Sequence, residues 1–176
     1  MHIKLLTKYY FINTFDTNNL QKQDKETIII FRNYSSSNIK IDKLIKLKNF
    51  LRKRGNKFFL ANNFKLALKL GLDGVYIPSF NKNFNHLAYS TFPNFTVVGS
   101  AHNLKEIRIK ELQKAKTIFI SSLFKKNNNY LGLNKFKILN NYTKKDVVAL
   151  GGISKKNIKK IKLLKIAGMA GISYFR

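Results

Sequence analysis

Cysteine is absent from the chain, so neither a disulfide nor a thiolate metal site can be built from it. That usage fits a reducing, cytoplasmic setting. Acidic side chains are also scarce: Asp16, Asp24, Asp42, Asp73, Asp146, Glu26, Glu106 and Glu111 are the whole set in 176 residues. Paired-carboxylate hydrolysis and all-carboxylate metal cages therefore have few candidates to draw on. Long apolar runs are missing as well. No stretch approaches the roughly 18 apolar residues of a membrane span. The opening "MHIKLLTKYYFIN" is broken by Lys4 and Lys8, unlike the apolar region of a secretory signal. The expectation is a cytoplasmic protein with no membrane partner.

What is present is a core and a large positive charge. Hydrophobic residues make up 44% and aromatics 13%, which excludes general disorder and suits one domain over residues 1–176. The formal charge of +26 would attract polyanions. Yet the bases are 29 Lys against 5 Arg, spread along the chain, beside 21 Asn. Lys, Asn, Ile, Phe and Tyr share A/T-rich codons, so genome composition accounts for the pattern. A dedicated nucleic-acid binder favours Arg and presents a patch or motif, and neither is visible. No specific nucleic-acid partner is expected.

Short β-branched or aromatic runs recur at spacings suited to βα units. Strands are predicted at 9–13, 27–32, 57–62, 74–78, 96–101, 117–122, 147–152 and 170–175. Most are continuously apolar, as strands buried on both faces of a parallel sheet must be. Helices are predicted over "IDKLIKLKNFLRKRG" with Gly55 as its stop, and over "FKLALKLG" ending at Gly71. A third, "NLKEIRIKELQKA", opens with Asn103 and Glu106 in capping-box spacing. A fourth, "SKKNIKKIKLLKIAG", runs from Ser154 to Gly168. Eight alternating strands and helices define a minimal (β/α)8 barrel. The segment "TFDTNNLQKQDKE" allows only a shortened first helix, and nothing after the eighth strand supplies a final one. An open doubly wound sheet is the alternative, though it needs fewer strands.

At "VVALGGIS", two glycines end the seventh strand just before the predicted helix at Ser154. Bare backbone there serves either a tight turn or an anion held by exposed amides. Barrels of this class often build a phosphate site from the loops after strands seven and eight, which favours phosphate at Gly151 and Gly152.

Six blocks in order, "FFLANN", "LALKLGLDGVYI", "VVGSAHNLKEI", "ISSLF…LGL", "VVALGGISKKNI" and "AGMAGIS", resemble the thiamine phosphate synthase family, which includes thiazole tautomerase relatives. The similarity runs from about Phe31 to the C-terminus. It implies a (β/α)8 barrel that joins a pyrimidine methyl diphosphate to a thiazole phosphate, releasing pyrophosphate with Mg²⁺ assistance. On this resemblance Arg32 approaches the diphosphate, Asn62 ends the third strand, and Ser100 contacts substrate. Gly151 and Gly152 bind the thiazole phosphate, and Phe175 and Arg176 complete that site.

The chain departs from the family's pattern elsewhere. Asn63 and Asn81 stand where the family places the two aspartates that hold Mg²⁺, and neutral amides bind that ion far more weakly. Ile30 and Tyr34 replace the residues flanking the arginine. Asn129 falls near the position of a catalytic lysine, with Lys125 and Lys126 a few residues earlier as substitutes. The tautomerase histidine falls at Ser122, and serine cannot shuttle protons near neutral pH. His102 is the nearby replacement, or else a histidine that packs at the rim; His2 and His86 have no motif context. Asp73 reads as a turn residue. The expected function is thiamine phosphate synthesis, with a degenerate thiazole-phosphate-binding protein as the alternative. A homo-oligomer is expected, because the missing final helix would leave apolar surface open.

Overall fold

The computed structural model describes residues 5–33, 40–161 and 163–176, so His2 and Tyr34 lie outside the described residues. Eight parallel strands close into a barrel in chain order. They are β1 (Thr7–Ile12), β2 (Ile28–Phe31), β3 (Phe58–Ala61) and β4 (Gly74–Ile77), then β5 (Thr96–Ala101), β6 (Thr117–Ile120), β7 (Asp146–Leu150) and β8 (Gly168–Gly171). Between them lie α1 (Thr17–Gln21), α2 (Ile41–Arg54), α3 (Phe64–Lys69), α4 (Leu104–Leu112), α5 (Gly132–Asn141) and α6 (Ile158–Ile161). The open-sheet alternative is excluded by closure, since β8 pairs with β1 from Thr7↔Gly168 to Tyr10↔Gly171.

β3, β4, β6 and β8 are buried along their whole length, which is why their sequences do not alternate. Inward-facing Tyr9, Phe11, Phe59, Tyr76 and Phe119 fill the barrel. Phe119 meets Tyr9 at 4.8 Å and Tyr76 at 5.5 Å between ring centroids, both edge to face. Outward-facing residues form two further clusters. One packs β1–β4 against Leu44, Leu47 and Leu51 of α2, and the other packs β6 and β7 against Ile107 and Phe136.

The expected shortened first helix is α1, a five-residue turn that buries Leu20 and is capped by Asp16, whose carboxylate accepts from the Asn19 N–H at 3.2 Å. No helix follows β8 within residues 172–176. Gly55 and Gly71 take left-handed φ values of 78° and 57° at the ends of α2 and α3, as their sequence positions predict.

Most strand ends fall within one or two residues of expectation, and the larger departures lie near the eighth strand. Strand eight begins at Gly168 rather than residue 170, and the helix predicted from Ser154 to Gly168 shrinks to the four residues of α6. The cause is barrel closure. Gly168 pairs with both Thr7 and Val148, and a Cβ there would lie 2.4 Å from the Thr7 carbonyl oxygen. Only glycine fits, so the chain leaves the helix early.

A third difference is the β4–β5 connection, residues 78–95, which carries only a 3-10 turn (Asn85–Ala88). Asparagine side chains shape it: the Asn83 N–H donates to Asn81 Oδ1 at 2.8 Å, and the Asn85 N–H to Asn83 Oδ1 at 2.6 Å. Phe80, Phe84, Leu87, Tyr89 and Phe92 of this connection are exposed. Apolar exposure thus gathers here more than at the end of the chain. No helix of the described residues is long and apolar enough to cross a membrane.

At the opposite, N-terminal face, buried Asn56 ties the β1–β2 connection to the start of β3. Its Nδ2 donates to the carbonyls of Asp24 (2.8 Å), Lys25 (3.2 Å) and Thr27 (3.0 Å). Asp73 also sits at this face, accepting the Phe58 N–H at 2.8 Å, which suits its reading as a turn residue. Asn56→Ala removes one amide from three carbonyls at once, of which Asp24's keeps the Thr27 N–H, and is expected to destabilise the fold by about 2–4 kcal/mol. Urea unfolding checks this, and a loss below about 0.5 kcal/mol would show that water replaces the amide.

Candidate active site

The C-terminal ends of the strands gather most of the sequence-predicted residues at one rim, where barrels of this kind keep their chemistry. Arg32 follows β2. Its guanidinium carbon lies 5.1 Å from the centroid of the Phe11 ring, which plugs the barrel beneath it. Ser100, on β5, stands beside the hydroxyl of buried Tyr76. Burial raises the Tyr76 phenol above the usual tyrosine value, while Ser100 and the Arg32 charge pull against that rise. Arg32, Tyr76 and Ser100 thus form the floor of the rim. Tyr76 went unremarked in the sequence. Its signal was a lone hydroxyl in the apolar strand "GVYI".

Three asparagines stand at the ends of β3 and β4. Asn62 has φ of 58°, a left-handed conformation that asparagine tolerates. Its Oδ1 accepts from Asn81 Nδ2 at 2.7 Å, joining the two strand ends. Asn63 is the N-cap of α3, its Oδ1 accepting the Leu66 N–H at 3.0 Å. The Asn81 carbonyl accepts from Lys110 Nζ at 2.7 Å and from Gln113 Nε2 at 3.1 Å.

His102, at the end of β5, pairs with Glu106: Nδ1 and Oε2 lie 3.0 Å apart, and the His102 N–H donates to the same oxygen at 2.7 Å. The capping box is therefore displaced by one residue. Asn103 Oδ1 accepts the Glu106 N–H at 2.9 Å as expected, but Glu106 reaches back past the cap to His102. A carboxylate only accepts, so the neutral ring carries its proton on Nδ1 and leaves Nε2 as an acceptor.

Gly151 and Gly152 have φ of 103° and 72°. Both face the β6 loop at backbone contact. A Cβ on Gly151 would lie 2.4 Å from Ser122 Oγ, and one on Gly152 2.5 Å from the Lys125 nitrogen. The Gly151 carbonyl accepts from the N–H groups of Phe124 (2.8 Å) and Lys125 (3.3 Å). The turn requirement is therefore real. The expected helix start at Ser154 is absent: α6 begins at Ile158, and the Asn157 amide bridges the Ser154 N–H (2.9 Å) and the Gly152 carbonyl (2.8 Å). Among the described residues no hydrogen bond engages the N–H of Gly152 or Ile153. Those donors, rather than a helix terminus, are what this loop offers an anion.

The remaining predicted residues are more dispersed. The Lys125 and Lys126 side chains are exposed on the β6–α5 loop. Phe175 is buried and stacks on Tyr10 at 5.1 Å, so its ring closes the core between β1 and the chain's end. Arg176 is exposed and borders a cleft of about 330 Å³ with Asn13, Asp16 and Lys22. A larger cleft of about 570 Å³ lies between the β1 loop and α2, beside Phe31 and Lys43. Both flank the rim rather than occupy its centre.

The donors at the aspartate positions do not fit Mg²⁺. The side-chain oxygens of Asn62, Asn63 and Asn81 all accept hydrogen bonds within the protein, and the Glu106 carboxylate is taken by His102. Among the described residues no group of three or more His, Asp or Glu could hold a metal ion.

These features define a closed (β/α)8 barrel with an anion-suited rim. The model of the thiamine monophosphate synthase family matches residues 17–175, and the chain belongs to that family. A thiamine-phosphate synthase of Methanococcus vannielii is 28% identical over 120 residues, which is 66% of this chain and 58% of that protein. The chain thus spans little more than half the length of that relative. A putative thiamine-phosphate synthase 2 of Aquifex aeolicus is 34% identical over 140 residues, covering 76% and 74%. The solved thiamine phosphate pyrophosphorylase of Pyrococcus furiosus superposes with a TM-score of 0.76 at 22% identity, covering 94% of this chain and 85% of that one.

Two outcomes follow from this geometry. Gly152→Ala should cost about 1–3 kcal/mol, because both its φ and its contact with the Lys125 nitrogen oppose a side chain; thermal melts that superpose on wild type would refute this. Burial pushes the Lys110 ammonium down to about 8, with Glu106 partly opposing it. The unfolded chain keeps that proton up to its ordinary 10.5 and so binds more protons between these values. Stability relative to Lys110→Met must therefore rise with pH across that window, by at most about 3 kcal/mol. A flat difference from pH 8 to 10.5 would show that the ammonium is not desolvated.

Proposed function

We propose that this barrel is a thiamine-biosynthetic protein that holds a thiazole phosphate at the β7–β8 end. The second substrate, a pyrimidine methyl diphosphate, would lie against Arg32 and the asparagine pair. In the coupling, the thiazole ring nitrogen forms a bond to the pyrimidine methylene carbon as that carbon's bond to oxygen breaks, and pyrophosphate leaves. Arg32 answers the charge that develops on the leaving group. The Ser100–Tyr76 pair beneath it supplies a polar floor in an otherwise aromatic interior. His102, oriented by Glu106, would face substrate with Nε2, and Lys125 and Lys126 are the exposed cations available on the β6 loop. The observation that carries this reading is the pair of unengaged N–H groups at Gly152 and Ile153, in a loop pinned by backbone contact, within a family match spanning residues 17–175.

A second reading has its own support. The asparagines in place of carboxylates favour a barrel that binds the thiazole phosphate without turnover. Self-association belongs to the proposal too, with the exposed aromatics of the β4–β5 connection as the surface it would cover. Calorimetric titration of thiazole phosphate, followed by the pyrimidine diphosphate, separates the readings. Saturable thiazole-phosphate binding and then pyrophosphate release supports the synthase. Binding without release supports the degenerate barrel, and no binding of either ligand overturns both.

A further inference from the structure

The β4–β5 connection lacks a packing helix, and α4 holds it instead through two fully buried side chains. Lys110 Nζ donates to Gln113 Oε1 at 2.7 Å and to the Asn81 carbonyl at 2.7 Å. Gln113 Nε2 donates to the same carbonyl at 3.1 Å and to that of Asn83 at 2.7 Å. The Lys110 stem runs against Gly99, where a Cβ would lie 2.6 Å from its Cδ. A buried ammonium is costly without a carboxylate in contact, and among the described residues Lys110 has no ion pair. A methionine would fill the same volume without that cost. What the ammonium contributes is a fixed place for Asn81.

The polarity of the rim follows from that anchor. The Asn83 main-chain N–H can only donate, so the Asn81 side-chain atom it meets is the oxygen, and Asn81 turns its Nδ2 toward Asn62. Asn62 must then present Oδ1 to Asn81 and its own Nδ2 elsewhere. After these bonds, one N–H of Asn81 and both of Asn62 remain as donors. A pair so oriented repels a cation and suits an anion.

We propose that the Asn62–Asn81 pair takes the pyrimidine diphosphate by direct hydrogen bonds rather than through a metal ion, with Lys110 as its positioning residue. This rests on the synthase-type reading above.

The test is calorimetry with inorganic pyrophosphate and, separately, thiazole phosphate, in EDTA and in Mg²⁺. Pyrophosphate should bind the wild type in EDTA and gain nothing from Mg²⁺. Asn81→Asp places a carboxylate at the rim and should weaken pyrophosphate by about tenfold or more; a metal site would instead bind more tightly in Mg²⁺. Lys110→Met and Gln113→Leu should each weaken pyrophosphate by a similar factor and leave thiazole phosphate within about twofold, which general loss of structure would not do. A wild type that needs Mg²⁺ overturns the proposal. So does an Asn81→Asp variant that binds pyrophosphate better, or folded Lys110→Met and Gln113→Leu variants that bind it unchanged. A wild type that binds neither ligand fails the synthase-type reading itself, and with it the proposal.

Discussion

Everything at the rim depends on β8 returning to β1. The closing pair begins at Gly168, whose backbone sits so near the Thr7 carbonyl that any side chain would block it. Once that contact is made, the strand ends form a ring, and residues far apart in sequence face one another. The closure is backed by the stack of Phe175 on Tyr10 and by Gln23 Nε2 donating to the Phe175 carbonyl at 2.9 Å. Phe175, expected at the phosphate site, thus has a part in closing the barrel as well.

The second organising constraint is the shortage of carboxylates. Where an aspartate pair would draw a cation to the rim, neutral amides stand, and each amide oxygen already has a donor inside the protein. A site of this kind has its positive potential built into the polypeptide, from Arg32 at the floor to Lys110 behind the asparagine loop, and its geometry set by main-chain donors.

The barrel was legible because strands buried on both faces read as continuous apolar runs, and "TVVGSA" was bounded to the residue. The eighth strand was misplaced because "GMAG" carries glycines where closure demands them, and glycine usually argues against a strand. The rim positions of Arg32, Asn62, Asn81, Ser100 and His102 could be placed from motif order alone. Their orientation could not, since it depends on contacts between strands. Lys110 was invisible: in "EIRIKEL" it reads as one more exposed lysine, and only the missing helix outside β4 reveals where its stem is buried. Glu106 was read as a cap, and its service to His102 appears only in the folded chain.

The asparagine steps at Asn81, Asn83 and Asn85 have a last implication. Asn81 and Asn83 each accept the main-chain N–H two places along, so residues 81–85 are built as two successive steps of period two. Such a strap is a ruler with its own graduations. Removing or adding one pair of residues would change its reach while leaving the remaining turns intact, whereas a helix in the same place would rotate its buried face out of contact. A barrel that carries one strap in place of a helix has therefore gained a span whose length can vary without disturbing its core.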